Sequence, residues 1–162
     1  MPNAHERNTV FFVSGSTHID LAWKKSRGEH AEMYESEMVQ LLDILDHDPD
    51  YAYTLEQAAH LRALEARRPD LIGRLKRYLR TGRLEMLGGS ASLVETNFPC
   101  GESFVRNQKI GMDWVRENLG ATATTGWLID TFGLNAQIPQ ILRQFGISRL
   151  IANRFGGDVT ID

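Results

Sequence analysis

Ser16-Thr17-His18-Ile19-Asp20-Leu21-Ala22-Trp23 places an imidazole and a carboxylate two residues apart, directly behind the apolar run Val10-Phe11-Phe12-Val13. That run is β-branched and aromatic and reads as a fully buried strand, so His18 and Asp20 should emerge just past its carboxyl end. Open sheets and barrels of α/β proteins hold their chemistry at that edge. In an extended or turning segment the two side chains can point the same way and offer one ring nitrogen and one carboxylate to a cation. Two ligands do not complete a metal site, and the pair equally suits a buried His hydrogen-bonded to a local Asp. A second carboxylate stands in Trp127-Leu128-Ile129-Asp130-Thr131-Phe132-Gly133, again immediately after an apolar strand pattern, in a turn where glycine lets backbone approach a ligand.

The elements that must position these groups alternate. A helical pattern from Glu29 to Asp46, with Met33, Val39, Leu41, Leu42 and Leu45 as its apolar face, is stopped by Pro49. Tyr51–Thr54 reads as a short strand, and 55–65 and 70–79 read as helices, with Pro69 at a helix start. Arg83–Leu87 is a third strand closed by Gly88-Gly89. A loop from Ser90 to Cys100 follows, then a helix over 102–118 ended by Gly120. Gly126–Ile129 is a fourth strand, Pro139–Gln144 a short helix, and Ser148–Ala152 a fifth strand. Such alternation predicts right-handed βαβ units and a parallel sheet, open or closed into a barrel, so the fold class is α/β. All strand ends then share one edge, where His18, Asp20, Glu95, Asp130, Asn153 and Arg154 can converge.

Composition excludes several classes. The 162 residues are 42% hydrophobic and 24% charged, as in a globular protein, and 18 basic against 21 acidic residues give a formal charge of −3. No polyanion-binding surface is indicated, so nucleic acid is not an expected partner. A single cysteine, Cys100, rules out an internal disulfide framework and fits a reducing compartment. The segment 1–8 is a polar tail, and the apolar run behind it is too short for a signal peptide or membrane span. No membrane partner is expected, and the expected location is cytoplasmic. A full barrel takes about 250 residues, so residues 9–162 read as the amino-terminal portion of a larger domain that is truncated at the carboxyl end.

Taken together, His18, Asp20 and Trp23 in a His-x-Asp-x-x-Trp motif, Leu55-Glu56-Gln57, Gly82-Arg83-Leu84-Glu85, Asn97-Phe98-Pro99-Cys100-Gly101-Glu102-Ser103, and Gly126-Trp127 through Asp130 to Pro139-Gln140-Ile141-Leu142 resemble glycoside hydrolase family 38, the retaining α-mannosidases. The resemblance runs from about Phe11 to Asn153. It implies a partial (β/α)7-type barrel, a bound zinc ion, and His18, Asp20 and Asp130 as metal ligands, with Asp130 also the catalytic nucleophile. Oxygen-rich ligation admits cobalt or manganese as well. By the same resemblance Trp23 lines the sugar subsite, where a ring can stack on apolar C–H faces. Glu95 is the substrate-side residue where the family usually carries Asp, and Ser90 stands where tryptophan is common. The fourth ligand, a histidine, and the acid/base carboxylate fall beyond residue 162 in the family's order.

The implied function is hydrolysis of terminal α-linked mannose in mannose metabolism and oligosaccharide breakdown. The partners are an α-mannoside or mannose-containing oligosaccharide and a downstream segment that completes the catalytic domain. The alternatives are a non-catalytic sugar- or metal-binding remnant and a different metal-dependent hydrolase, such as a deacetylase, built on the same His-x-Asp pair. Other conspicuous residues are given bland readings. His5, His30, His47 and His60 read as surface or locally bonded side chains, Cys100 as structural and Trp114 as core. The basic residues Arg62, Arg67, Arg68, Arg74, Lys76, Arg77, Arg80 and Arg83 read as a solvated face.

Overall fold

The computed structural model describes residues 12–154. Five short strands alternate with five helices: β1 (Gly15–Ser16), α1 (Arg27–His47), β2 (Tyr53–Leu55), α2 (Ala58–Arg67), α3 (Pro69–Thr81), β3 (Leu84–Met86), α4 (Gly101–Trp114), β4 (Thr125–Leu128), α5 (Ile138–Gln144) and β5 (Arg149–Ala152). The last turns of α4 widen into a π-helical stretch, Val115–Leu119, and Gly120 ends it in a left-handed conformation. Every strand pairing is parallel. β1, β2 and β3 lie in chain order, with Gly15 opposite Tyr53 and Tyr53 opposite Leu84, and β4 pairs with β5, Leu128 opposite Ala152. The two sheets are tied where Gly88 N–H donates to Thr125 C=O at 2.8 Å. The strands therefore form two parallel sheets in chain order, β1-β2-β3 and β4-β5, with parallel pairing as the βαβ reading expected.

Local sequence explains the helix ends. Ser26 and Glu29 form a capping box at the start of α1, with Glu29 Oε2 accepting from Ser26 N–H at 2.8 Å. Pro69 occupies the first turn of α3, where its missing N–H costs nothing. The core contains Tyr34, Met38, Leu42 and Leu45 of α1, Leu61 and Leu64 of α2, Leu71 and Leu75 of α3, and Leu55, Leu84 and Met86 of the sheet. A smaller cluster, Phe104, Leu128, Ile138, Leu142 and Ile147, lies under β4 and β5. Trp114 packs partly buried against the larger core, as expected. Among the described residues no helix is long and apolar enough to cross a membrane.

Three sequence expectations are corrected. The first strand is not a fully buried one over 10–13. Val10 and Phe11 lie outside the described residues, while Phe12 and Val13 are 95% and 89% exposed and pairing begins only at Gly15. β1 is an edge strand, and among the described residues no second strand pairs with it. On α1 the buried stripe is His30, Tyr34, Met38, Leu41, Leu42 and Leu45, so Leu41, Leu42 and Leu45 lie on it as expected, while Met33 and Val39 face outward because each stands one residue, about 100°, from the buried Tyr34 and Met38. Finally, α2 begins at Ala58 and not at Leu55, which leaves Glu56 and Gln57 at the end of a strand.

Candidate metal centre and active site

The carboxyl ends of the strands carry the site. Past β1 the chain turns through His18 and Asp20, and past β4 it turns at Asp130. His18 Nε2 lies 3.8 Å from Asp20 Oδ1 and 3.7 Å from Asp130 Oδ2. One ligand atom from each of the three residues falls within 4.8 Å of the others. They line an open cavity of about 220 Å³ together with Gln57, Leu93, Glu95 and Phe132.

Asp130 is held in a conformation that L residues seldom adopt. Its φ is 60°, in the left-handed region, which Asp tolerates better than most residues. Asn153, just past β5, accepts the Asp130 N–H through Oδ1 at 2.7 Å. The Arg154 guanidinium pairs with Asp130 Oδ1, a buried oxygen that accepts no well-directed hydrogen bond, and it also covers the Phe132 ring at 4.8 Å. Two residues farther along, Glu95 Oε2 accepts the Phe132 N–H at 2.7 Å. Gly133 lies against Asn97, whose Nδ2 would be 2.0 Å from an added Cβ, so a larger residue there would push the Asn97 side chain aside.

The segment 18–23 is pinned from beneath by buried groups. His60 Nε2 donates to Ile19 C=O at 2.7 Å, Gln57 Nε2 donates to the same carbonyl at 3.1 Å, and His30 Nε2 lies 2.8 Å from Trp23 C=O. Of the two readings given to His30 and His60, surface or locally bonded, the second holds. Both are buried, and His60 stacks on Tyr34 with ring centroids 4.6 Å apart. They are braces for the ligand loop, and neither joins the ligand group. Trp23 stands 60% exposed outside the cavity lining, with Lys24 Nζ 4.1 Å from its ring centre. Ser90 is buried.

Glu56 was missed as a site residue. It is buried, and its carboxylate accepts from His18 Nδ1 at 3.0 Å and from Trp127 Nε1 at 2.8 Å. Reading a helix from Leu55 put Glu56 on a helical surface. The available signal was its place directly behind a strand, the one strand end from which the sequence reading drew no residue. The Glu56 hydrogen bond is the main cause that raises the His18 pKa from its ordinary value, against the pull of burial, with the charges of Glu56, Asp20 and Asp130 adding to the effect. Carboxylates gathered around one imidazole favour a cation at this spot. One ring nitrogen and two carboxylate oxygens, with a buried polar oxygen beside them, form a donor set that fits a divalent metal ion.

Parallel strands alternating with helices, with a His/Asp/Asp group at their carboxyl ends, define an α/β protein with a candidate metal site. Residues 8–156 match the model of the glycosyl hydrolases family 38 N-terminal domain, and the chain belongs to that family. It is 29% identical over 149 residues to the human protein named "Alpha-mannosidase 2C1" and 30% identical over 153 residues to "Alpha-mannosidase G" of Dictyostelium discoideum. Each match covers 92% of this chain and 14% of the relative, so the chain spans about one seventh of the length of these proteins. A solved structure of an α-mannosidase from Enterococcus faecalis V583 superposes with a TM-score of 0.75 at 28% identity, covering 85% of this chain and 16% of that one.

Proposed function

We propose that His18, Asp20 and Asp130 belong to the active site of a zinc-dependent retaining α-mannosidase that removes terminal α-linked mannose from oligosaccharides. The observation that carries this reading is the meeting of those three side chains at the strand ends of a family 38 chain. The names of the relatives supply the substrate class. His18 and Asp20 would hold the ion with Asp130, and when bound it supplies a positive anchor for sugar hydroxyls and for charge developing in the transition state. Cobalt or manganese suits the same oxygen-rich set.

The remaining chemistry belongs to the chain. Asp130 attacks the anomeric carbon as the glycosidic C–O bond breaks and the leaving oxygen takes a proton from the acid/base carboxyl. Water then cleaves the resulting ester with retention. Retaining enzymes hold the two carboxyl groups roughly 5 to 5.5 Å apart. None of these 162 residues is assigned the acid/base role. Asn153 and Glu95 fix the turn around Asp130, so its carboxylate is presented without searching. Trp23, beside the cavity and open to solvent, offers an apolar face for a sugar ring.

The test is release of product from an aryl α-mannoside by the intact protein, with and without a chelator. Chelator-sensitive release restored by zinc supports the reading. A protein that releases no product under saturating zinc would be a binding remnant, and the enzyme assignment would fall.

A further inference from the structure

Glu56 is a buried carboxylate with no role in the chemistry above, and its surroundings are specific. Three N–H donors from three parts of the fold meet on it: His18 Nδ1 at 3.0 Å from Oε1 and 3.2 Å from Oε2, Trp127 Nε1 at 2.8 Å from Oε2, and Gln57 Nε2 at 3.2 Å from Oε1. These come from the turn after β1, from β4, and from the end of β2 itself. An ionised carboxylate is the acceptor-only group that can take several donors at once; a neutral amide offers one oxygen and brings two hydrogens of its own. The neighbour repeats the pattern, since Gln57 Oε1 accepts the Leu93 N–H at 3.1 Å while its Nε2 also reaches Ile19 C=O.

Resting on the metal-site reading above, we propose that Glu56 is the positioning residue of the centre: it fixes His18 with Nδ1 protonated and Nε2 bare, and ties that ring to β4 through Trp127. A histidine holds a metal through one nitrogen, and the partner of the other nitrogen sets its tautomer and ring angle. Here Nδ1 is occupied by Glu56, which leaves Nε2 as the nitrogen that faces Asp20 and Asp130. The Trp127 link adds a second function. Asp130 lies three residues beyond Trp127, just past the end of β4, so one carboxylate registers the β1 ligands against the β4 ligand. A further path between the two turns is indirect, through Gln57 from Ile19 to Leu93 and then from Glu95 to Phe132.

The experiment compares wild type, Glu56→Gln and Glu56→Asp in the intact protein, using zinc affinity by competition with a chromophoric chelator and the visible spectrum of the cobalt-loaded form. Losing such a partner weakens metal binding by about 10- to 100-fold. That loss is expected for Glu56→Gln, together with altered cobalt bands that report a changed imidazole ligand. Glu56→Asp keeps the charge but is one methylene shorter, so it reaches His18 or Trp127 but not both, and a loss intermediate between wild type and Gln is expected. If Glu56→Gln does not fold, the Asp variant alone decides. Folded variants that keep wild-type zinc affinity and wild-type cobalt bands overturn the positioning role and leave the metal site standing. A wild-type protein that binds neither ion overturns the metal-site reading itself, and this role with it.

Discussion

Asn153 accepts the backbone N–H of Asp130 at 2.7 Å across the paired ends of β4 and β5. The bond matters because Asp130 is a non-glycine residue at φ 60°, a conformation that persists when its surroundings over-determine it. Parallel pairing of Leu128 with Ala152 brings the two turns side by side, and Asn153 N–H donates to Leu128 C=O at 3.3 Å in return. The side chain of one strand end therefore shapes the backbone of the next.

Replacing Asn153 with alanine removes that acceptor and leaves the turn free to relax. The bond is exposed, so the loss in unfolding free energy is expected to be about 1 kcal/mol. The effect on the chemistry should be larger than on stability, because misplacement of a reacting group costs up to about 100-fold in rate. Urea titration and mannoside kinetics on the same preparation separate the two. A variant with wild-type kcat/KM shows that the turn holds without Asn153.

Asp130→Asn keeps the shape of the side chain and tolerates the same left-handed backbone. The protein should fold with an unchanged melting profile, yet turnover should fall by on the order of 10⁴-fold or more, as when a nucleophile is removed. Retained mannoside hydrolysis in that variant would sink Asp130 as nucleophile.

The sequence is explicit where chemistry sits directly behind a strand. His18, Asp20, Glu95, Asp130, Asn153 and Arg154 were all placed at one edge by counting strands, and among the described residues they surround one cavity or the turns that form it. Glu56, His30 and His60 were not legible, for a common reason. Each is polar and sits in or next to a helical pattern, and polar character on a helix ordinarily means solvent. All three are buried because the ligand loop has backbone and ring groups that need partners beneath it, a demand that only the packed arrangement reveals.

Arg83 shows the same effect away from the site. Within a cluster expected to be a solvated face, Arg67 and Arg68 do pair with Glu35 at the surface, and Arg74 and Arg77 with Asp46. Arg83 instead donates to the carbonyls of Leu45 at 2.9 Å, Tyr51 at 3.1 Å and Asp48, tying the end of α1 to the sheet. Arg83→Ala leaves the carbonyls at the end of that helix without a charged donor and should cost about 2 kcal/mol in urea unfolding. Arg106→Ala, which breaks only an exposed pair with Glu102, should stay within about 0.5 kcal/mol. Equal costs for the two would show that the Arg83 bonds carry no special weight.

His60 makes the fold sensitive to acid. Burial lowers its pKa below the ordinary 6.5, outweighing the opposing pull of the Ile19 carbonyl and of the Glu56 and Glu37 charges, while His30 acts with burial. The folded protein therefore binds this proton less readily than the unfolded chain. Its contribution to stability is complete above pH 6.5 and is lost as the pH falls through 6.5 toward the lower folded value. His18 and His47, both raised, act in the opposite sense, so only a difference between variants isolates His60. His60→Gln keeps a donor for Ile19 C=O and cannot take up a proton. Its melting temperature at pH 7.5 should lie below wild type through lost stacking on Tyr34, and the gap should narrow steadily down to pH 5. A gap that stays constant across that range would mean that His60 does not titrate with folding, and that acid lability arises elsewhere.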